Sequence, residues 1–316
     1  MKSQFIDQLR SGDAVNDIFL LTEKTVARKK DGNPYLTLAF SDKTGVAKAV
    51  MWDNIDVAAS EIKAGDFVRI SGSVSEYRGV IQIVVKDMAA TGDSDLDTAD
   101  FVPKTTKNIT AMTERMKQII DSVKTDCLRD LLKSFFDEPE FLKIYQSAPA
   151  AKKMHHAYMG GLLEHSLSLA ILVERVAPHY IGIDKDMLIA GALLHDIGKV
   201  REFDFRTGID YTDEGRLLTH IVIGLEMIED RIRSIPDFPR DKAILLKHLI
   251  VSHHGTREFG SPEPPKTLEG LLLNYLDEID SKINGVREFM AANESDGNWT
   301  PYHGAMGRHF FKGFIS

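Results

Sequence analysis

The sequence predicts a small all-β barrel followed by an all-α helical bundle, and three observations predict it. Apolar residues alternate with polar ones in the first part of the chain, and recur at three and four residues in the rest. Between the two patterns lies an acidic segment, residues 91–100, with no usable period; its Asp93, Asp95, Asp97 and Asp100 supply half of the net charge of -8. At 316 residues and 43% hydrophobic content, the chain exceeds the roughly 250–300 residues at which single cores stop growing, so two domains are expected.

Residues 35–40 alternate strictly, and residues 46–52 follow a turn at 41–45, with a further turn at 31–34. Residues 67–74 and 80–85 flank Tyr77, Arg78 and Gly79, which completes about five strands, and a short helical stretch is expected near 55–62. Five strands in so short a span fit a closed barrel of the OB type, which commonly binds single strands by stacking bases on aromatic rings beside basic groups. Arg28, Lys29, Lys30, Tyr35, Trp52, Tyr77 and Arg78 are the candidate contacts. Trp52 as barrel core, and Arg28 to Lys30 as a solvated hairpin end, are the competing readings.

Helical periodicity then predicts bridging helices over 109–123, 127–136 and 139–145, whose apolar positions read as core. The next helix, residues 158–176, puts His165 on a stripe with Leu169, Leu172 and Val176. His195 shares a face with Leu188, Gly191 and Ala192, and Gly198 is placed to end that helix. His220 falls with Ile223, Gly224 and Met227; His253 with Leu246, Leu249 and Ile250; Asp277 with Gly270, Leu273 and Asp280.

One such histidine alone would read as a hydrogen-bonded core residue. Five helices aiming ionisable groups inward argue for a shared cation, because each buried carboxylate would otherwise need its own partner. A carboxylate has two oxygens, so Asp196 is the natural centre of a binuclear site. One ion would take His165, His195, Asp196 and Asp277, the other Asp196, His220 and His253 or His254; Gly255 suggests that the helix carrying this pair ends there. The lone Cys127 excludes an intramolecular disulfide and a thiolate-rich zinc site, so the ligands are N and O. Mixed imidazole and carboxylate ligation suits manganese, iron, cobalt or another first-row divalent ion better than calcium. Two such ions about 3.5–4 Å apart can clamp the attacking and leaving oxygens of a phosphoryl displacement and acidify a bridging water. Lys199, one turn beyond Asp196, is a candidate for a phosphate oxygen, with a helix C-terminal lysine as the plain alternative.

The order His165, His195-Asp196, Asp277 resembles the HD superfamily of metal-dependent phosphohydrolases, and His220 with His253-His254 resembles its binuclear members. Over residues 155–166, 191–199, 252–255 and 258–262, together with an N-terminal OB-like barrel, the chain is similar to the YhaM family of 3′-5′ exoribonucleases. The resemblance implies a manganese-dependent enzyme that shortens single-stranded RNA, and single-stranded DNA as a second substrate, from the 3′ end. Gly161 stands where some cyclic dinucleotide phosphodiesterases of the superfamily carry an extra acidic ligand, which argues against a third metal.

The expected organisation is an OB-type barrel over 1–92, an acidic linker over 93–107, bridging helices over 108–150, an HD domain over 151–290 and an aromatic and basic tail over 291–316. His155, His156 and Arg257 are further candidates for substrate contact, and the tail for docking or stacking. No stretch approaches a membrane span, and the N-terminal residues lack the apolar core of a secretory signal, which makes the cytoplasm the expected location. Oligomerisation is compatible with this reading. Two other functions are expected to compete with it: hydrolysis of small nucleotides or cyclic dinucleotides with the barrel as a regulatory module, and single-strand binding with a structural metal.

Overall fold

Alternation along the first strands closes a barrel because each strand has one face that must leave water. A computed structural model of the chain describes residues 2–29, 31–53, 55, 60–77, 80–91, 96, 100–152, 156–205, 208–292 and 297–314. The chain divides into two compact units, Met1–Lys104 with Asp204–Asp210, and Thr105–Phe203 with Tyr211–Ser316.

In the first unit, β1 (Ala14–Arg28), β2 (Pro34–Asp42), β3 (Gly45–Met51), β4 (Phe67–Tyr77) and β5 (Val80–Ala90) close in the order β1-β2-β3-β5-β4. The β3–β5 pair is parallel and the others antiparallel. Leu36, Leu38 and Phe40 of β2 point inward with Ala47, Ala49 and Met51 of β3 and with Ile83 and Val85 of β5, so alternating large and small side chains fill the interior. The strand that the periodicity does not delimit is the longest. β1 pairs β4 over Ala14 to Leu20 and β2 over Leu20 to Arg28, with a register shift between Leu21 and Glu23. Ile18 to Leu21 are consecutively buried and most of the strand beyond is exposed, so no single period-two signal runs along it. Of the helical stretch expected near 55–62, residues 56–59 lie outside the described residues; Ile55 and Ser60 on either side are helical, and Ile55 and Ile62 belong to the barrel core.

Asp17 fastens the chain start to this barrel. Its carboxylate accepts hydrogen bonds from the backbone N–H groups of Ser3 (2.6 Å), Gln4 (2.6 Å) and Ile18 (2.7 Å). Burial alone would raise its pKa, but these donors outweigh burial and lower it. A carboxyl whose folded pKa is lowered contributes stability above its unfolded value and loses it as pH falls through the folded one. Asp17→Asn is therefore expected to cost roughly 2 kcal/mol at neutral pH, with the gap to the wild type closing below about pH 4. Urea midpoints across pH check this, and a gap independent of pH would contradict it.

The second unit opens with α1 (Ile109–Ser122), α2 (Asp126–Phe136) and α3 (Pro139–Ser147). Asn108 caps α1 by accepting from the Ala111 N–H, and Pro139 begins α3 where its missing N–H costs nothing. Leu128, Leu131, Leu132, Phe135 and Phe136 form the buried stripe of α2, as core positions should. Next come α4 (Gly161–Val176), α5 (Lys185–Leu194), α6 (Lys199–Glu202), α7 (Asp213–Ser234), α8 (Arg240–Ser252) and α9 (Leu268–Ala292). α4 starts three residues later than the periodicity predicts, because Gly160 takes a left-handed φ of +82° that ends the preceding loop. Every residue of α5 from Met187 to Leu194 is buried, which makes it the central helix.

Gly198 corrects the sequence reading. It is right-handed, with φ -64°, and does not cap α5. A Cβ there would lie 2.1 Å from the His220 carbonyl oxygen, so glycine lets the α6 start press against α7. The tail folds back through bridges pairing Trp299 with Phe311 and His303 with Arg308. No helix among the described residues is long and apolar enough to cross a membrane.

Candidate metal centre

Five elements of the helical unit converge on the Asp196 carboxylate. His165 comes from α4, His195 and Asp196 from the turn after α5, His220 from α7, His253 and His254 from the end of α8, and Asp277 from α9. Oδ2 of Asp196 lies 3.2 Å from Nε2 of His195 and 3.7 Å from Nε2 of His165, and His165 Nε2 is 3.2 Å from Oδ1 of Asp277. Oδ1 of Asp196 faces the other way, 3.4 Å from Nε2 of His220 and 3.8 Å from Nε2 of His253. Among the described residues three groups have ligand atoms close enough to share an ion; His165–His195–Asp277 and His220–His253–His254 have the Asp196 carboxylate between them, and the third, His156–His165–Asp280, lies behind His165. α8 ends at Ser252, and Gly255 follows at φ +78°; this lets both histidines of the pair join the second set.

The tautomers are fixed from behind. Nδ1 of His195 donates to the Ala192 carbonyl (3.0 Å) and Nδ1 of His253 to that of Ile250 (2.7 Å). A carbonyl only accepts, so Nε2 of each neutral ring carries a lone pair aimed at the cluster. Carboxylates do the same elsewhere: Asp280 lies 2.8 Å from Nδ1 of His165 and Glu202 lies 3.1 Å from Nδ1 of His220. Nε2 of His220, Nε2 of His253 and Nδ1 of His254 are buried and have no hydrogen-bond partner among the described residues. Buried orphan nitrogens of this kind cost about 1–3 kcal/mol each unless something occupies the space between them. Imidazole and carboxylate donors in this arrangement fit divalent first-row cations.

Charge is unevenly held. Burial disfavours a charged Asp196, yet His195, Lys199 and His220 keep its pKa well below the usual carboxylate range, and Lys199 Nζ sits 2.6 Å from Oδ2. Burial likewise opposes a charged His165, but Asp277 and Asp280 overcome it and raise its pKa to about 10. In the second set burial prevails: His253 is driven well below its ordinary value and His254 to about 4. A cation entering the first set competes with the charged form of His165 that Asp277 and Asp280 favour, whereas burial already favours the neutral forms of His253 and His254.

Two supporting carboxylates were not assigned a role from the sequence. Asp280, three residues after Asp277, also accepts from Ser168 and faces Nε2 of His156 at 3.2 Å; the shared helical face was legible, but not the contact. Glu202 accepts the His220 N–H at 2.9 Å, and no spacing signal announces it. That N–H is free because Thr219 breaks α7 at φ +63° and ψ 161°, a region essentially reserved for glycine, where strain costs about 1–3 kcal/mol. Asp280→Asn and Glu202→Gln are each expected to weaken divalent-cation binding about 10- to 100-fold, since both carboxylates orient imidazoles of the cluster. Calorimetric titration tests this, and unchanged affinity in both variants would refute it.

The remaining candidates scatter. His156 is 1% exposed, with Nδ1 2.8 Å from the Tyr158 hydroxyl and Nε2 facing Asp280, which in turn holds His165. Arg257 is exposed and pairs with Glu263 at 3.4 Å. On the barrel, Tyr35 and Trp52 stack at 4.6 Å between centroids and 25° between planes, and Lys29 Nζ lies 5.6 Å from the Trp52 ring and 3.5 Å from Asp53. Trp52 is 40% exposed, which removes it from the barrel core. Arg28 donates to the Gly32 carbonyl in its own turn. His155, Lys30, Arg78 and the Tyr77 side chain lie outside the described residues.

Comparison with known proteins agrees with this division. Residues 162–282 match the HD domain and residues 22–89 the OB-fold nucleic acid binding domain. The chain thus carries an HD domain, which indicates a metal-dependent phosphohydrolase, and an OB-fold domain. Among solved structures, the second OB-fold domain of replication protein A from Methanococcus maripaludis is 24% identical over 31% of this chain and 100% of its own, with a TM-score of 0.23. The mitochondrial single-stranded DNA binding protein Rim1 from S. cerevisiae is 14% identical over 26% of this chain and 95% of its own, also with a TM-score of 0.23.

Proposed function

We propose that this chain is a metal-dependent 3′-5′ exonuclease acting on single-stranded RNA, with single-stranded DNA as a second substrate. The observation that carries the reading is the Asp196 carboxylate, one oxygen toward each ligand set, in a chain that also holds an OB domain. The proposed ligands are His165, His195, Asp196 and Asp277 for one ion and Asp196, His220, His253 and His254 for the other, with manganese as the expected metal and iron or cobalt as alternatives. When bound, such ions supply Lewis-acid polarisation of the phosphate and acidify an attacking water.

The chain's own groups do the rest. Glu202 and Asp280 hold two rings so that Nε2, not Nδ1, faces the cluster. Lys199 now neutralises Asp196 and lines the cavity over the cluster. Once the Asp196 charge is engaged elsewhere, the ammonium is available to a phosphate oxygen of the strand. The Tyr35–Trp52 pair beside Lys29 provides a sequence-tolerant stacking surface for bases. Cleavage polarity and the preference for RNA rest on the resemblance to the YhaM family.

Incubation with manganese and a 5′-labelled single-stranded RNA should give a ladder shortening from the 3′ end with release of mononucleotides. Trp52→Ala is expected to raise KM for long strands about tenfold. Cleavage of a cyclic dinucleotide with no shortening of the strand would replace this reading with that of a small-nucleotide hydrolase, and strand binding without turnover would replace it with a binding factor.

A further inference from the structure

One exposed ring stands between two cavities that open on the ligand cluster. The first, about 300 Å³, is lined by Asp196, Lys199 and Asp277 among others; the second, about 400 Å³, by Tyr211, Arg216, Thr219 and His220. His254 and Phe259 belong to the walls of both. Phe259 is 70% exposed and stacks on no other ring among the described residues.

Its loop is well pinned. The short helical turn Arg257–Phe259 is closed by Gly260 at φ +89°, and the following Ser261, 3% exposed, donates its N–H to the Thr256 carbonyl at 3.1 Å. The Ser261 hydroxyl also lies 2.8 Å from the carbonyls of Val251 and Glu263. A large apolar ring is therefore held in solvent by a pinned loop, a few residues from the histidine pair, at the rim of a cavity whose walls include Asp196, Asp277, Lys199 and the imidazoles of His165, His253 and His254. Packing does not explain it. A ligand with a charged phosphate and a flat apolar face matches both features, since an aromatic side chain takes any base by stacking. Each cavity falls within the size range of small-ligand sites, about 300 Å³ and upward.

We propose that Phe259 is the platform on which the base next to the scissile phosphate stacks, in the cavity it shares with Tyr211, and so sets the preference for nucleoside esters over bare phosphodiesters. The proposal rests on the reading of the substrate as a single strand. It makes Phe259 a specificity residue rather than a catalytic one.

The test uses the full-length manganese-loaded enzyme and two RNA strands, identical except that the 3′-terminal nucleotide of one lacks its base. The wild type should prefer the base-bearing strand, and Phe259→Ala should reduce that preference, measured as a ratio of kcat/KM values, about tenfold. Phe259→Tyr should retain it. A preference unchanged in Phe259→Ala, whether or not the absolute rates fall, would overturn the proposal while leaving the exonuclease reading intact. A wild type that shortens neither strand would overturn both.

Discussion

Replacing Asp196 by asparagine is expected to lower phosphodiester hydrolysis by about 10³- to 10⁴-fold, because several kcal/mol of transition-state charge stabilisation is at stake and each 1.36 kcal/mol is a factor of ten. The side chain is 3% exposed, and both of its oxygens face imidazole nitrogens, so an amide removes the negative charge and one ligating oxygen at the point shared by the two sets. Asparagine keeps the volume, and Lys199 can turn to solvent through the cavity it lines. The helical unit should therefore stay folded, with an unchanged far-ultraviolet circular dichroism spectrum. A loss below tenfold in a folded variant would mean that Asp196 is not the centre of the chemistry.

Removing metal should cost the helical unit about 3–4 kcal/mol relative to protein at a hundred to a thousand times the dissociation constant. For a unit of this size that is a fall in Tm of roughly 5–15 °C. The orphan nitrogens of His220, His253 and His254 are the physical source, since without a cation they are buried with nothing to bond. The barrel holds no such cluster among its described residues and should not respond. Each unit carries one tryptophan, Trp52 in the barrel and Trp299 in the helical unit, so a Trp52→Phe variant reports the helical unit by fluorescence. Equal unfolding of chelated and manganese-loaded protein would contradict the expectation.

His165, His195, His220, His253 and Asp277 stand out in the sequence because each falls on an apolar stripe at helical spacing, where an ionisable group is anomalous, and the structure brings them together around Asp196. What the stripes did not give was the outer layer. Asp280 could be placed on the face of Asp277, but its bonds to His165, His156 and Ser168 depend on how α9 lies against α4. Glu202 depends on a break at Thr219 that no local pattern encodes, since a β-branched residue at positive φ is the opposite of a turn signal. Gly198 was read by its commonest local role, a helix terminator, when its reason is a tertiary contact with the His220 backbone. The long strand β1 was blurred because its two halves pair with different neighbours. His156, a candidate for substrate contact by its place before α4, is instead 1% exposed and faces Asp280, a long-range contact that no local pattern encodes.

Metal stoichiometry tests the central claim most directly. Protein reconstituted with manganese, desalted and measured by plasma mass spectrometry should carry two ions per chain, with Asp196→Asn carrying one or fewer. A single ion per chain in the wild type, or a content unaffected by Asp196→Asn, would contradict a binuclear centre built around this carboxylate.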